Sequence, residues 1–342
     1  MAGLPDMNIL ISSHVFEPGV GGLERVSRAL AEGFVKAGHA VCVITQTPAG
    51  DIKDNFSFEL IRRPSVSRLF KLLRWCDVYF QNNISLRTAW PLLFVKKPWV
   101  VAHHIWLTRP DGWVGVRDRL KRFLIRFAKN ISVSRAIAAD LPAPSVVIGD
   151  PYEDKLFVTL PGVEKSFPLI FVGRLVSDKG VDVLFQALKN LKTRNRTPSL
   201  TVVGEGPEEP FLRKLAVSLE IADQVHFVGV KQGSELVEFL NRHEILVVPS
   251  RWNEPFGVVA LEGIACGCVV VGSQGGGLKE AVGPCGVTFP NGDAGMLADT
   301  LEKLLAEPGL LKACREDAKI HLEKYTKERI AREYLEVLCD LA

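Results

Sequence analysis

Leu169-Ile-Phe-Val172-Gly-Arg174-Leu-Val-Ser-Asp-Lys179-Gly180-Val181-Asp-Val-Leu184-Phe-Gln-Ala-Leu188-Lys-Asn-Leu191 holds an apolar run, a polar loop and an amphipathic stretch in direct succession. Leu169-Ile-Phe-Val172 is short and continuously apolar, as strands buried on both faces of a parallel sheet are. Val181, Leu184, Leu188 and Leu191 then recur at the helical period. One strand, one loop and one helix make half of a βαβ unit, and the unit recurs. Leu200-Thr-Val-Val203, Val225-His-Phe-Val228, Ile245-Leu-Val-Val248 and Val269-Val-Val271 are further apolar, β-branched runs separated by helical segments. Strands alternating with helices predict a parallel sheet with helices on both faces.

The first half of the chain has the same grammar. Asn8-Ile-Leu-Ile-Ser12 precedes the Gly-rich Pro18-Gly-Val-Gly21-Gly22, and Leu23, Val26, Leu30 and Phe34 follow at helical spacing. Ala40-Val-Cys-Val-Ile-Thr45, Trp99-Val-Val-Ala-His103 and Ile131-Ser-Val-Ser134 are the other strand candidates. Between the two series, Gly149-Asp-Pro-Tyr-Glu-Asp154 is polar and turn-forming, which suits a hinge. The expected architecture is α/β, with two Rossmann-like, doubly wound domains facing each other across a cleft. Their expected extents are 1–149 and 165–325, joined by a linker over 150–164. A final helix over 326–342 is expected to pack back on the first domain. In such sheets ligands sit beyond the carboxyl ends of the strands.

A chain of 342 residues with 47% apolar composition supports about two domains. Its net charge of +3 hides an asymmetry: residues 1–150 carry 20 Lys/Arg against 12 Asp/Glu, and the remainder 22 against 27. The seven cysteines are odd in number and scattered, which fits a reducing compartment better than a disulfide framework. Cys266-Gly-Cys268 has neither redox nor zinc spacing. No leader pattern is seen at the N-terminus, and no run approaches membrane-spanning length. The expected location is cytoplasmic.

The loop after Val247-Val-Pro249 reads Ser250-Arg-Trp-Asn-Glu254-Pro-Phe256-Gly257-Val258-Val-Ala-Leu-Glu262. Pro255 is suited to the first position of a helix, whose free N–H groups would face an anion or a hydroxyl oxygen. Glu262 would then lie about two turns inside that helix. Two carboxylates so placed suit two pairs of vicinal hydroxyls, one on a hexose and one on a ribose; the bland alternative is a helix-start charge and a solvated Glu262. Arg174, at a strand end, and Lys179, one loop later, offer forked and point-like positive charge for a diphosphate. They would also neutralise charge on a leaving diphosphate; ordinary surface cations are the alternative. Gly21-Gly22 and Gly275-Gly276-Gly277 each stand between a strand and a helix, where backbone can approach a phosphate. Gly204-Glu-Gly206 also follows a strand, and tight turns alone would account for it. His103 and His104 end a strand, and since neighbours on a strand point oppositely, at most one faces the cleft. The stretch 115–129 combines Leu120, Phe123, Leu124 and Phe127 with six Lys/Arg. It suits either a packed helix with a solvated basic face or an anionic membrane surface. No nucleic-acid-binding motif is present.

Taken together, these motifs resemble family 4 of the retaining glycosyltransferases, of GT-B fold. The resemblance rests on Pro18…Gly21-Gly22…Glu24, Gly173-Arg174…Lys179-Gly180, Gly204-Glu-Gly206-Pro207, Glu254-Pro-Phe-Gly…Glu262 and Gly275-Gly276…Glu280. It implies that Arg174 and Lys179 bind the donor diphosphate. Glu254 and the amides after Phe256, at Gly257 and Val258, would hold the donor sugar, Glu262 the ribose, and Gly21-Gly22 the phosphates. The family's cleft histidine would be His103, with His104 the alternative. The chain departs from the family at Lys279, where proline is usual, and at Val147-Ile-Gly-Asp-Pro-Tyr, an altered interdomain linker.

The implied reaction moves a hexose from a nucleotide-diphosphate sugar to a hydroxyl acceptor with retention. The acceptor could belong to cell-surface polysaccharide or glycolipid synthesis, and could be lipid-linked. The resemblance implies front-face displacement, with the leaving phosphate taking the acceptor proton. No Asp-x-Asp occurs in the chain, so no bridging metal is expected, and no cofactor beyond the donor itself. Rival readings are an epimerase of the same architecture, a dehydrogenase lacking its glycine fingerprint, and a non-catalytic sugar-nucleotide binder.

Overall fold

The computed structural model describes residues 6–19, 21–50, 55–108 and 114–341. The first five residues, where a leader would begin, and Val20 of the glycine-rich loop lie outside that set. The chain divides into two compact units, one of Met1–Pro151 with Tyr325–Ala342 and the other of Tyr152–Lys324.

In the first unit the described strands are β1 (Asn8–Ser13), β2 (Ala40–Thr45), β3 (Glu59–Arg62), β4 (Val78–Asn82), β5 (Trp99–His103), β6 (Lys129–Ser132) and β7 (Ser145–Val147). They form one parallel sheet in the order β3-β2-β1-β4-β5-β6-β7. The helices are α1 (Gly22–Lys36), α2 (Val66–Trp75), α3 (Leu86–Ala89), α4 (Val116–Leu124) and α5 (Arg135–Asp140). Alternation along the strands sends Ile9, Ile11, Val41, Val43 and Phe80 to one face, where Val26, Leu30 and Phe34 of α1 cover them. Leu10, Cys42, Ile44, Tyr79 and Val101 point to the other, beneath Leu69, Leu72 and Leu73 of α2. The sheet is therefore wound on both faces.

The second unit repeats the plan with β8 (Phe167–Val172), β9 (Leu200–Val203), β10 (Val225–Phe227), β11 (His243–Val248), β12 (Val269–Ser273) and β13 (Gly286–Phe289). Their order is β10-β9-β8-β11-β12-β13, again parallel. The helices are α6 (Val181–Thr193), α7 (Glu209–Ser218), α8 (Gly233–Asn241), α9 (Val258–Ala265), α10 (Leu278–Val282), α11 (Ala294–Ala306), α12 (Pro308–Glu316) and α13 (Ala318–Glu323). Leu169, Phe171, Val202, Ile245 and Val271 pack with α6, α7 and α11 in one core. The stripe read in sequence at Val181, Leu184, Leu188 and Leu191 is fully buried there. Each such aliphatic side chain contributes about 1.5–3 kcal/mol on burial.

The last helix, α14 (Lys327–Cys339), returns to the first unit. Ile330, Ala331, Tyr334, Leu335 and Leu338 complete the core around α1. Contact is close enough that a Cβ on Gly33 would lie 2.5 Å from the Ala331 Cβ. Thr326 starts the helix by accepting from the Arg329 amide at 3.3 Å.

Ala40–Thr45, Trp99–His103 and Leu200–Val203 are strands over the residues that their pattern marks. The segment marked at Ile131–Ser134 forms its strand two residues earlier, at Lys129–Ser132. β3, β4, β7 and β13 carry no clear apolar signature in sequence.

Candidate active site

In both units the site residues lie at or just past the carboxyl ends of strands, where two consecutive loops leave a sheet edge open to ligand. Beyond β8, the chain turns through Gly173-Arg174-Leu175 and a single 3-10 turn at Ser177–Lys179. Backbone hydrogen bonds tie this loop to its neighbours. Gly173 N donates to Val203 O at 3.0 Å and Leu175 N to Glu205 O at 2.9 Å. Side chains at Gly204 and Gly206 would collide with the carbonyls of Gly173 and Leu175, so Gly204-Glu-Gly206 serves close approach as well as a turn. On the other side, Arg251 N donates to Asp178 O at 2.8 Å. Gly180, at φ 65°, leaves room for the Pro249 carbonyl.

That zippering sets Lys179 beside Glu254. Lys179 Nζ lies 2.6 Å from Glu254 Oε1, and their side chains are 29% and 12% exposed. Ser250, fully buried, donates its hydroxyl to the same oxygen at 2.6 Å. Arg174 is exposed at the same loop, and its guanidinium forms neither hydrogen bond nor ion pair among the described residues. The neighbouring cation Arg251 is committed instead, with both arms on the Asp182 carboxylate at 3.2 and 2.5 Å.

The Gly275-Gly276 loop joins this cluster. Glu254 and Gly276 form a parallel bridge, and Gly277 N donates to Glu254 O at 2.7 Å. Gly276 has φ 74°, and a Cβ there would strike that same carbonyl. Asn291 ties the loops together, accepting from Gly275 N at 2.8 Å and reaching Asn253 Oδ1 and Arg251 O at 3.3 Å. The expected helix start at Pro255 is displaced: α9 opens at Val258, after Gly257 in the left-handed region at φ 101°. Phe256 causes this. Its side chain is buried to 2% exposure, and inserting it spends Pro255 to Gly257 on a turn. No side chain caps α9, so its first amides are left for another acceptor. Glu262 sits little more than one turn in and is 7% exposed, which removes the reading of it as a solvated charge.

The histidines of the first unit differ sharply. His103 Nε2 lies 3.0 Å from Asn130 Oδ1. The Asn130 amide nitrogen is held by the carbonyls of Ile125 and Ala128 at 2.9 and 3.1 Å, so the oxygen must face the ring and accept from Nε2–H. Burial pushes the His103 pKa down to about 4 and keeps the ring neutral. His104 Nδ1 lies 2.7 Å from Asp150 Oδ1, while its Nε2 is buried with no partner among the described residues. One ring nitrogen of His104 is thus held and the other left unpaired in the interior. Gly21 precedes α1 with no side-chain cap, and Gly22 opens the helix with free space beside its Cα. The Glu24 carboxylate folds back over this loop, 3.0 Å from where a Cβ on Gly19 would stand.

Sequence reasoning did not find Ser250, Asn291 or Asp150 as site residues. A serine after a strand and an asparagine in a late loop carry no periodic signal, and Asp150 read as part of a turn.

Two parallel-sheet α/β units with the open strand ends carrying cations, a carboxylate and an uncapped helix define a GT-B chain. Family models match nearly all of it: "Glycosyl transferases group 1" over residues 153–321 and "Glycosyltransferase Family 4" over residues 20–145. The chain belongs to this glycosyltransferase family. Among curated proteins it is 36% identical over 185 residues to a D-inositol 3-phosphate glycosyltransferase of Salinispora arenicola. That alignment covers 51% of this chain and 41% of the relative, so the chain spans well under half the length of the protein it matches. Anabaena HepE, solved in complex with UDP and glucose, superposes with a TM-score of 0.78 at 19% identity, covering 98% of this chain and 100% of that one. A sucrose-phosphate synthase from Thermosynechococcus elongatus gives 0.81 at 21%, covering 98% of each. At such identities the likeness establishes the fold.

Proposed function

We propose that the chain transfers a hexose from a nucleotide-diphosphate sugar to a hydroxyl acceptor, with retention and without a metal bridging the diphosphate. The observation that carries this reading is the junction of Lys179, Ser250 and Glu254, with the unpartnered Arg174 guanidinium alongside. Four elements distant in sequence are zipped by backbone to make it. Arg174 and Lys179 take the diphosphate and neutralise charge on the leaving group. Glu254 and the uncapped amides of α9 take the sugar hydroxyls, and Glu262 the ribose. In the first unit His104, oriented by Asp150 and unpaired at Nε2, is the histidine available to a ligand, ahead of His103, which bonds Asn130. Lipid-linked sugars head the acceptors to test. HepE binds UDP, so uridine donors head the donor panel.

Ligand-induced stabilisation tests the reading. UDP, GDP, ADP and their sugars are added in the presence of a chelator, and the melting temperature is followed. One nucleotide at a hundred times its Kd stabilises by about 2.7 kcal/mol. No shift across a saturating panel contradicts the proposal.

A further inference from the structure

The layer made by α2, α3 and α4 on the first unit carries a surface that the site above does not use. A crossover helix on a parallel sheet ordinarily turns an apolar stripe inward. α4 buries none of its residues. Val116 is 83% exposed, Phe123 53% and Phe127 70%. The rings of Phe123 and Phe127 meet edge to face at 5.3 Å, so they form one ridge. Arg117, Arg119, Arg126 and Lys129 are exposed beside it and make no ion pair among the described residues.

A second ridge follows α3. Leu93 and Phe94 are 77% and 71% exposed, and Trp90 packs against Phe94 at 6.1 Å between ring centres. Phe70 of α2 joins both rings, at 5.6 and 6.3 Å. β4, β5 and β6 are sheet neighbours in chain order, and right-handed crossovers put both connections on one face. Leu92, Val95, Leu107, Leu124 and Ala128 accordingly pack on a single core cluster. Both ridges therefore crown the same layer.

Charge selects the occupant. Residues 66–129 hold 13 Lys/Arg against three Asp/Glu. Exposed aromatic and aliphatic side chains set among unpaired cations match a bilayer interface with anionic head groups, where rings enter the head-group zone and cations meet phosphates. We propose that this layer docks the protein on an anionic membrane surface through Phe94, Phe123 and Phe127, with Arg117, Arg119 and Arg126 on the phosphates. Among the described residues no helix is long and apolar enough to cross a membrane.

The test is co-sedimentation of the whole chain with phosphatidylcholine vesicles made with and without phosphatidylglycerol, at rising salt and with no donor present. The protein should sediment with the anionic vesicles and leave them as salt rises. Arg117→Gln and Arg126→Gln should each weaken partition about fivefold. Phe94→Ser with Phe127→Ser should weaken it tenfold or more while every cation remains. These side chains are exposed, so melting temperature and donor-induced stabilisation should be unchanged, which separates a docking defect from a folding one. Equal partition on neutral and anionic vesicles overturns the proposal. So does wild-type binding by the double Phe variant, which would mark the cations as a site for soluble polyanions such as nucleic acid. Vesicle-free self-association abolished by the Phe changes would make the surface an interface between two copies. Failure to bind any nucleotide sugar would sink the donor reading and leave this one standing.

Discussion

Glu254→Gln should move donor turnover and nucleoside-diphosphate binding in opposite directions. Glu254 Oε1 is 2.6 Å from Lys179 Nζ, with the two side chains 12% and 29% exposed. At an effective dielectric of about 20 the gross attraction is ~6 kcal/mol. Desolvation and lost hydration reduce the net value of such a partly exposed pair to about 1–2 kcal/mol. Glutamine removes that competition for Lys179 and also removes a negative charge from the neighbourhood of the diphosphate. A nucleoside diphosphate without sugar should therefore bind about 5–30-fold more tightly. The full donor loses charge-assisted hydrogen bonds from its sugar hydroxyls, about 1.5–3 kcal/mol, so kcat/KM should fall roughly 10–150-fold. The Ser250 hydroxyl can still donate to the amide oxygen, and the melting temperature should stay within a few degrees. Calorimetric titration with the diphosphate and a coupled assay of its release read the two effects separately. Both quantities falling together, or neither moving, would refute the reasoning.

Ser250→Ala strips the second donor from Glu254 and should cost about 5–10-fold in kcat/KM with little loss of stability, read in the same coupled assay. Gly276→Ala forces a side chain onto the Glu254 carbonyl at a positive φ. It should destabilise by more than about 2 kcal/mol in denaturant and abolish turnover, whereas Gly22→Ala, with open space around it, should leave stability nearly unchanged. His103 and His243 are held neutral by burial, each with its pKa lowered to about 4. The unfolded chain binds more protons than the folded one between those values and about 6.5, so stability is full above pH 6.5 and falls as pH drops toward 4. His103→Gln should flatten that slope, as followed by thermal unfolding across the window.

The strand, loop and helix from Leu169 to Leu191 were legible because three signals coincide: an unbroken apolar run, charged residues just past it, and a helical stripe. β4 was not legible, although it lies in the middle of its sheet. Gln81 and Asn82 end it, and sequence cannot show that both are buried and bonded, to Thr88 Oγ1 at 2.9 Å and Ser27 Oγ at 2.6 Å. Their amide nitrogens donate these bonds while the amide oxygens stay buried without a partner among the described residues, and polar residues placed inside a protein in this way read as loop. In the site, Arg174, Lys179 and Glu254 could be picked out by charge at strand ends, but the Lys179–Glu254 ion pair depends on backbone contacts between loops 75 residues apart. The α9 start was misread at Pro255 because proline is suited to opening a helix. Burial of Phe256, which delays the start to Val258, is a tertiary effect. His103 and His104 are equivalent in sequence and separate only once Asn130 and Asp150 are in place.

The central claim is that this junction of cations, carboxylate and helix start activates a nucleotide-diphosphate sugar without a bridging metal. Proton NMR of a donor panel incubated with the protein and a chelator measures it directly. One nucleotide sugar should be consumed, slowly with water and faster with a hydroxyl acceptor. The first-formed product should keep the anomeric configuration of the donor, and Lys179→Ala should lose at least a hundredfold in rate with its fold intact. No consumption of any donor, an inverted product, or near-normal turnover in Lys179→Ala would contradict the account.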